Sequence, residues 1–288
     1  MKHLATILLA VVASLLAVYA FGPKGGAGVA ASRETAYERV MRTGVLRCGY
    51  NTWPPAVEVD ANTGKVGGIV PELVEYAANA MSLKVEWVQQ ASWGTFTQDL
   101  KDGRFDAMCA GAWETKEAAP YVTYTEPVFF NPVYPYVRSN DHRFDIDLKV
   151  LNSPNYRIAT IDGAMTDIIA KEDFPRAKRV SLPQMADNSE AVLNVANGKA
   201  DVVFNEASVM LQFDASNPGV LRPLGNAPYR SFASPLLAAY ITDAALVRMF
   251  DTVLSEMQLQ GTTQRIIDKY STDRRLFVPV AKPYGEIE

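Results

Sequence analysis

The stretch Gly44-Val-Leu-Arg-Cys-Gly-Tyr50, followed at once by Asn51-Thr-Trp-Pro-Pro55, decides the fold. Residues 45–49 are a short apolar run bounded by glycines, which reads as a buried strand, and the Asn and Pro residues behind it break it. Pro71 then opens a helix at its favoured first position, with Val70, Leu73, Val74, Ala77 and Met81 on one face at spacings of three and four. Residues 84–88 form a second strand, 95–101 a short helix ended by Asp102-Gly103, and 105–110 a third strand. Strand, helix, strand, helix, strand predicts a parallel sheet with crossover helices.

Working outward, Pro120, Pro127, Pro132 and Pro135 are interleaved with Tyr and Phe and lead into the polar residues 139–147, which reads as a domain crossing. The pattern then restarts. A strand at 156–161, a helix at 164–171, a strand at 179–182, a helix at 189–197 and a strand at 201–204 make a second small α/β unit. An amphipathic helix at 244–259 carries Leu246, Met249, Phe250, Val253, Leu254 and Met257 on one face and ends at Gly261. A helix at 263–270 and a proline-containing tail at 271–288 follow. At 288 residues the chain has the length of two domains.

Composition closes off several functions. With 48% hydrophobic and 21% charged residues the chain is an ordinary folded protein. It has only two histidines, His3 and His142, and two cysteines, Cys48 and Cys109, so a His-rich metal site is not expected and a Ser-His-Asp triad would rest on His142 alone. A net charge of -4 without a basic block argues against a nucleic-acid partner. No cofactor is implied.

After Met1-Lys2-His3, residues 4–21 are an uncharged, mostly apolar run of 18. This length lies between a usual signal-peptide core and a membrane span, so residues 1–21 are a cleaved export signal or a retained anchor. No cysteine follows for lipid attachment, and residues 22–36 begin as a Gly- and Ala-rich flexible spacer. Either way the body is placed outside the cytoplasm, in the periplasm or an equivalent space.

Ligands of open parallel sheets bind past the carboxyl ends of the strands. Those positions hold Tyr50 and Trp53, Trp93, then Gly111 and Trp113; in the second unit they hold Asp162, Gly163, Asn205 and Glu206. Three of the four tryptophans sit at strand exits, and Trp87, inside a strand, is assigned to the core. The candidate ligand-binding set is Tyr50, Trp53, Trp93, Gly111, Trp113, Thr160, Gly163, Asn205 and Glu206.

The runs Thr43-Gly-Val-Leu-Arg-Cys-Gly-Tyr, Trp53-Pro-Pro, Val66-Gly-Gly-Ile-Val-Pro-Glu-Leu, Ser92-Trp-Gly, Lys101-Asp-Gly-Arg-Phe-Asp-Ala, Glu126-Pro and Asn197-Gly-Lys-Ala-Asp-Val-Val, in that order, resemble the extracytoplasmic solute-binding proteins of polar amino-acid ABC transporters. The likeness spans residues 37–270. It implies a two-lobed periplasmic-binding-protein fold with parallel-type sheets flanked by helices. Lobe 1 would be 37–137 plus 235–270 and lobe 2 would be 138–234, with hinge crossings near 136–138 and 231–236. It also implies an ABC permease as partner and no enzymatic role.

The departures are as informative. The resemblance implies an Arg that clamps a ligand carboxylate, but Trp113, Thr115 and Ala118 occupy that stretch; it implies an acid for the ligand ammonium, where Asn205 stands with Glu206 one residue on. A charge-assisted hydrogen bond contributes roughly 1.5 to 3 kcal/mol, so losing two would weaken zwitterion binding by about two to four powers of ten. Lys116 is a flexible substitute cation. The expected ligand is a small organic molecule other than an ordinary α-amino acid, either an aromatic ring or a cation over aromatic faces, with Glu114 and Glu206 adding negative charge.

Two alternatives stand beside this reading: a ligand-free, membrane-anchored scaffold that binds another protein, and a dehydratase-like enzyme with Glu206 or Asp162 as general acid. Cys48 and Cys109 fall on neighbouring strands and are read either as a disulfide or as adjacent thiols. His142 is expected on the surface of the connection.

Overall fold

The computed structural model describes residues 34–271 and 276–280; the apolar run at 4–21 and most of the spacer lie outside the described residues. The helix Ala36–Thr43 starts on a capping box, Thr35 with Glu38, and stops at left-handed Gly44. From there the chain enters β1 (Val45–Tyr50), which pairs in parallel with β4 (Lys84–Gln90) and β5 (Ala107–Met108). Between β1 and β4 lie a small antiparallel pair, β2 (Glu58–Val59) and β3 (Val66–Gly67), and the helix Ile69–Ala80, which with the helix Phe96–Asp102 makes the crossovers. β13 (Ala238–Tyr240) adds on antiparallel to β5, and β6 (Val122–Tyr124) antiparallel to β13, which completes a five-stranded sheet.

The expected elements are present with shifted ends. Pro71 is the third helical residue rather than the first, because the Ile69 and Val70 amides already bond to the Pro55 and Ala56 carbonyls. The third strand shortens to Ala107–Met108. Trp87 is half-buried on the edge strand β4, its indole N–H donating to Glu75 at 3.0 Å.

The second sheet is built on β7 (Pro127–Arg138), flanked by β10 (Val202–Glu206) on one stretch and by β11 (Leu221–Pro223) and β12 (Arg230–Pro235) on the other edge. β8 (Arg157–Ile161) and β9 (Lys178–Leu182) extend it in parallel beyond β10. Two apolar clusters cover this sheet, one around Phe144, Leu151, Ile169 and Phe204 and one around Ala159, Val192 and Val203. These are the two α/β lobes expected of the fold.

The lobes meet along β7 and β12. Val128 and Phe129 of β7 belong to the first-lobe core, whereas Val133 and Val137 belong to the second. The outward crossing therefore lies inside one continuous strand, near residues 129–133, earlier than the 136–138 expected from sequence. Its prolines do not interrupt the strand, because a proline loses only its donor: the Pro135 carbonyl still accepts the Leu224 amide at 2.8 Å. The return falls between Pro235 and Ala238.

Buried acids fix the start of each lobe. Asp106 accepts from Arg39 and Arg47, and Asp201 accepts from Arg143 at 2.9 Å and Arg157 at 3.3 Å. Cys48 of β1 and Cys109 form a disulfide with both side chains fully buried, which settles the alternative that the sequence left open. His142 lies on the surface and pairs with Asp145.

The bridge closes a loop with a sequence separation of 61 residues, a span whose removal from the unfolded ensemble stabilises by about 4 kcal/mol. Replacing both Cys48 and Cys109 with Ala should lower the urea unfolding free energy of the first lobe by roughly that amount, and a loss under about 1 kcal/mol would show that the bridge constrains little.

Candidate functional site

A cavity of about 520 Å³ opens between the lobes, a volume typical of small-molecule sites. Of the sequence-derived candidates, Trp53, Trp93, Gly111, Trp113, Gly163, Asn205 and Glu206 line it. Tyr50 and Thr160 do not. Tyr50 ends β1 with its ring turned edge-on to Trp87, 6.2 Å between centroids. Thr160 is fully buried within β8 and shares a hydrogen bond with Ser181. Both are strand residues, and in a pleated strand adjacent side chains point to opposite faces, so closeness to a strand exit does not ensure access to the cavity.

Trp53 is held at the floor by local backbone bonds: its N–H and C=O both bond to Val57 at 2.8 Å. Gly111, at φ +66°, lies so close that a Cβ there would come within 3.2 Å of the Trp53 ring. Trp53 stands edge-on to Trp113 at 6.3 Å. Trp113 leaves the first lobe and stacks on Phe232 of β12, 4.4 Å and 12° between the rings, with its indole N–H on Ser234 at 3.1 Å. One of its faces is thus already occupied. The four-ring cage expected from sequence reduces to Trp53, Trp93 and the free side of Trp113, with Tyr121 at the rim.

The lobes touch across this cavity. The Trp53 indole N–H donates to the Glu206 carboxylate at 2.5 Å. Lys116 reaches Glu172 of the helix Met165–Asp173 at 2.6 Å. At the rim, Gly94 sits against Gln184, where a Cβ would meet the amide at 2.6 Å.

Charge on the lining is asymmetric. Its only cations are Lys116 and Lys171, against Glu117, Asp167, Glu172 and Glu206. Lys171 pairs with Asp167 at 2.6 Å, and Arg179 reaches the same carboxylate at 2.7 Å. Burial opposes ionisation of Asp167, yet Lys171, the Gly163 amide and Arg179 together hold it below the ordinary carboxylate range. The Gly163 N–H donates to Asp167 at 3.2 Å, so the start of this helix, which attracts anions, already faces one of its own.

Glu206 is different. It is 6% exposed, and burial pushes its pKa up to about 7, with the Trp53 indole and the Ser208 hydroxyl pulling it back; Ser208 lies near the carboxyl but outside hydrogen-bond geometry. Asn205, beside it, accepts the Glu206 backbone N–H on its side-chain oxygen at 2.9 Å, leaving its side-chain N–H₂ buried without a partner. The acid that the sequence placed as missing is therefore present one residue further along the strand. Ala118, at the expected arginine position, is buried in the lining, and no other guanidinium takes its place among the lining residues.

Sequence reading missed Asp167, Lys171, Glu172 and Gln184. The signal was faint: an acid in the first turn of a helix that follows a Gly at a strand exit. Glu114 and Asp162 are exposed and outside the lining. Among the described residues no group of His, Cys, Asp or Glu is placed to hold a metal ion.

The Glu206 carboxyl titrates near 4.5 in the unfolded chain and near 7 in the fold, so between these values the folded protein holds the extra proton and stability falls as pH rises. Glu206→Gln keeps an oxygen for the Trp53 N–H and removes the titration. The variant should be more stable than the parent by roughly 3 kcal/mol at pH 8, with the gap closing towards pH 4.5. Urea unfolding at both ends of this range checks it; an offset independent of pH would refute the assignment.

Residues 46–273 match the family model of bacterial extracellular solute-binding proteins, family 3, and the chain belongs to that family. It is similar to the ABC transporter arginine-binding protein 1 of Escherichia coli (strain K12), 24% identical over 221 residues that make up 76% of this chain and 87% of that protein. The arginine-binding periplasmic protein of Mannheimia haemolytica is 23% identical over 75% of this chain and 86% of its own length. Among solved structures, an ancestral amino acid-binding protein described as a precursor of cyclohexadienyl dehydratase superposes with a TM-score of 0.70 at 23% identity, over 82% of this chain and 99% of that one.

Proposed function

We propose that this family 3 solute-binding protein captures a small organic cation without an α-carboxylate in its interlobe cavity, for delivery to an ABC-type permease. One observation carries the reading: both lining lysines are engaged by carboxylates, while Glu206 has only an indole donor. A ligand carboxylate finds no unengaged cation and meets an acid already seated at the helix start. A ligand amine, guanidine or quaternary ammonium finds an acid and aromatic walls. Relatives named for arginine are consistent with a cation-taking cleft.

The comparison that isolates the carboxylate is arginine against agmatine, its decarboxylated form. Agmatine should bind at least about tenfold more tightly by titration calorimetry, and its affinity should rise with pH through 7 as Glu206 loses its proton. Arginine binding as tightly as agmatine would refute the reading.

A second reading rests on Glu206 itself. A buried carboxyl with a pKa of about 7 is suited to general acid work, and the ancestral protein above is described as a precursor of a dehydratase. Asp162, the other candidate acid, lies outside the cavity lining. Incubation with prephenate or arogenate should yield no product; turnover abolished by Glu206→Gln would establish the enzyme reading instead.

A further inference from the structure

Residues 271–288 read as a tail in the sequence, yet residues 276–280 are part of the body. β14 (Val278–Pro279) pairs antiparallel with β7, Val278 opposite Phe130 and Pro279 opposite Phe129. On its other edge, β7 at the same two residues pairs with Ala233 and Ser234 of β12. The hinge therefore carries three strands where the two connecting strands alone would suffice, and the third lies where the core changes from one lobe to the other.

Phe277 leads into this strand and is 1% exposed. Its ring meets Phe129 at 5.0 Å and Trp53 at 6.3 Å, both edge to face. Phe277 does not line the cavity; it stands behind the tryptophan that does. Trp53 is thus confined by Phe277 and Phe129 at its back, Trp113 at its side and Gly111 beneath, and its N–H is aimed at Glu206.

We propose that Phe277 is a positioning residue for ligand binding: the C-terminal strand wedges it behind Trp53 and so holds the indole N–H on Glu206 across the hinge. The role in binding rests on the reading of the cavity as the ligand site. The positioning of Trp53 does not. Truncating a buried Phe leaves a void that neighbouring side chains relax into, and here the adjoining side chain that also reaches the opposite lobe is Trp53.

Three indole N–H groups have protein acceptors: Trp53 on Glu206, Trp87 on Glu75 and Trp113 on Ser234. Their hydrogen exchange can be followed separately by NMR in the full chain, with Trp53→Phe assigning the first. In Phe277→Ala the Trp53 N–H should exchange at least about tenfold faster while Trp87 and Trp113 stay within about threefold, and Phe277→Leu should restore most of the protection. Should Phe277→Ala not fold, Phe277→Val carries the same test with a smaller void. Agmatine affinity should fall about tenfold in the same variant. Unchanged Trp53 exchange, or acceleration of all three indoles alike, would overturn the proposal. Failure of agmatine to bind even the parent chain would sink the cation reading and leave the positioning result standing.

Discussion

A carboxyl taken out of water must either find donors or keep its proton, and Glu206 does part of each. It ends β10 in the second lobe, and the donor that reaches it, the Trp53 indole, comes from the first. At the cavity floor the two lobes are thus joined by a polar contact between groups that are both nearly inaccessible to water. A neutral donor only partly offsets the desolvation, which is why the carboxyl's pKa stays raised, at about 7. The remaining deficit is one that a cation would remove more completely than an indole can.

That contact depends on the hinge being shared rather than merely bridged. β7 contributes Phe129 to one core and Val133 to the other within five residues, so neither lobe can pack fully without it. Burial of both ends fixes the strand's register, because a slip of one residue would move Phe129 and Val133 together to the opposite face. Trp113 repeats the arrangement on a smaller scale: it leaves the first sheet past β5 but stacks its ring on Phe232 of the second. The cavity walls are consequently positioned by residues whose packing partners lie in the opposite lobe.

The βαβ core of both lobes was legible in the sequence because hydrophobic period and glycine punctuation are local properties. So was the gathering of Trp53, Trp93 and Trp113 at one opening, since strand exits follow from the strand order. Other features depended on partners distant in sequence. The prolines of β7 mark the domain crossing, but that the crossing runs inside one paired strand depends on carbonyl acceptors that are not visible in sequence. Glu206 and Asn205 differ by one position, and only the end of β10 decides which carries the acid into the cavity. Residues 276–280 read as part of a tail because Phe277 and Val278 have no periodic neighbours; their partners, Phe129 and Phe130, lie almost 150 residues earlier.

The proposed preference for a cationic ligand follows from comparing what each kind of ligand would exchange. A carboxylate entering the cavity would have to draw Lys116 from Glu172 or Lys171 from Asp167, replacing one anion with another and gaining no new pairing. Displacing Lys171 would also strip a partner from Asp167, which is 2% exposed, leaving Arg179 and the Gly163 amide to hold it. Removing a partner from a buried charge is far more costly than the same change at the surface. A cation beside Glu206 costs none of these pairs. It replaces a neutral indole donor with a charged one, and it favours loss of the proton that burial had retained. The asymmetry lies in the pairing that already exists along the walls, so it holds whatever apolar group the ligand carries.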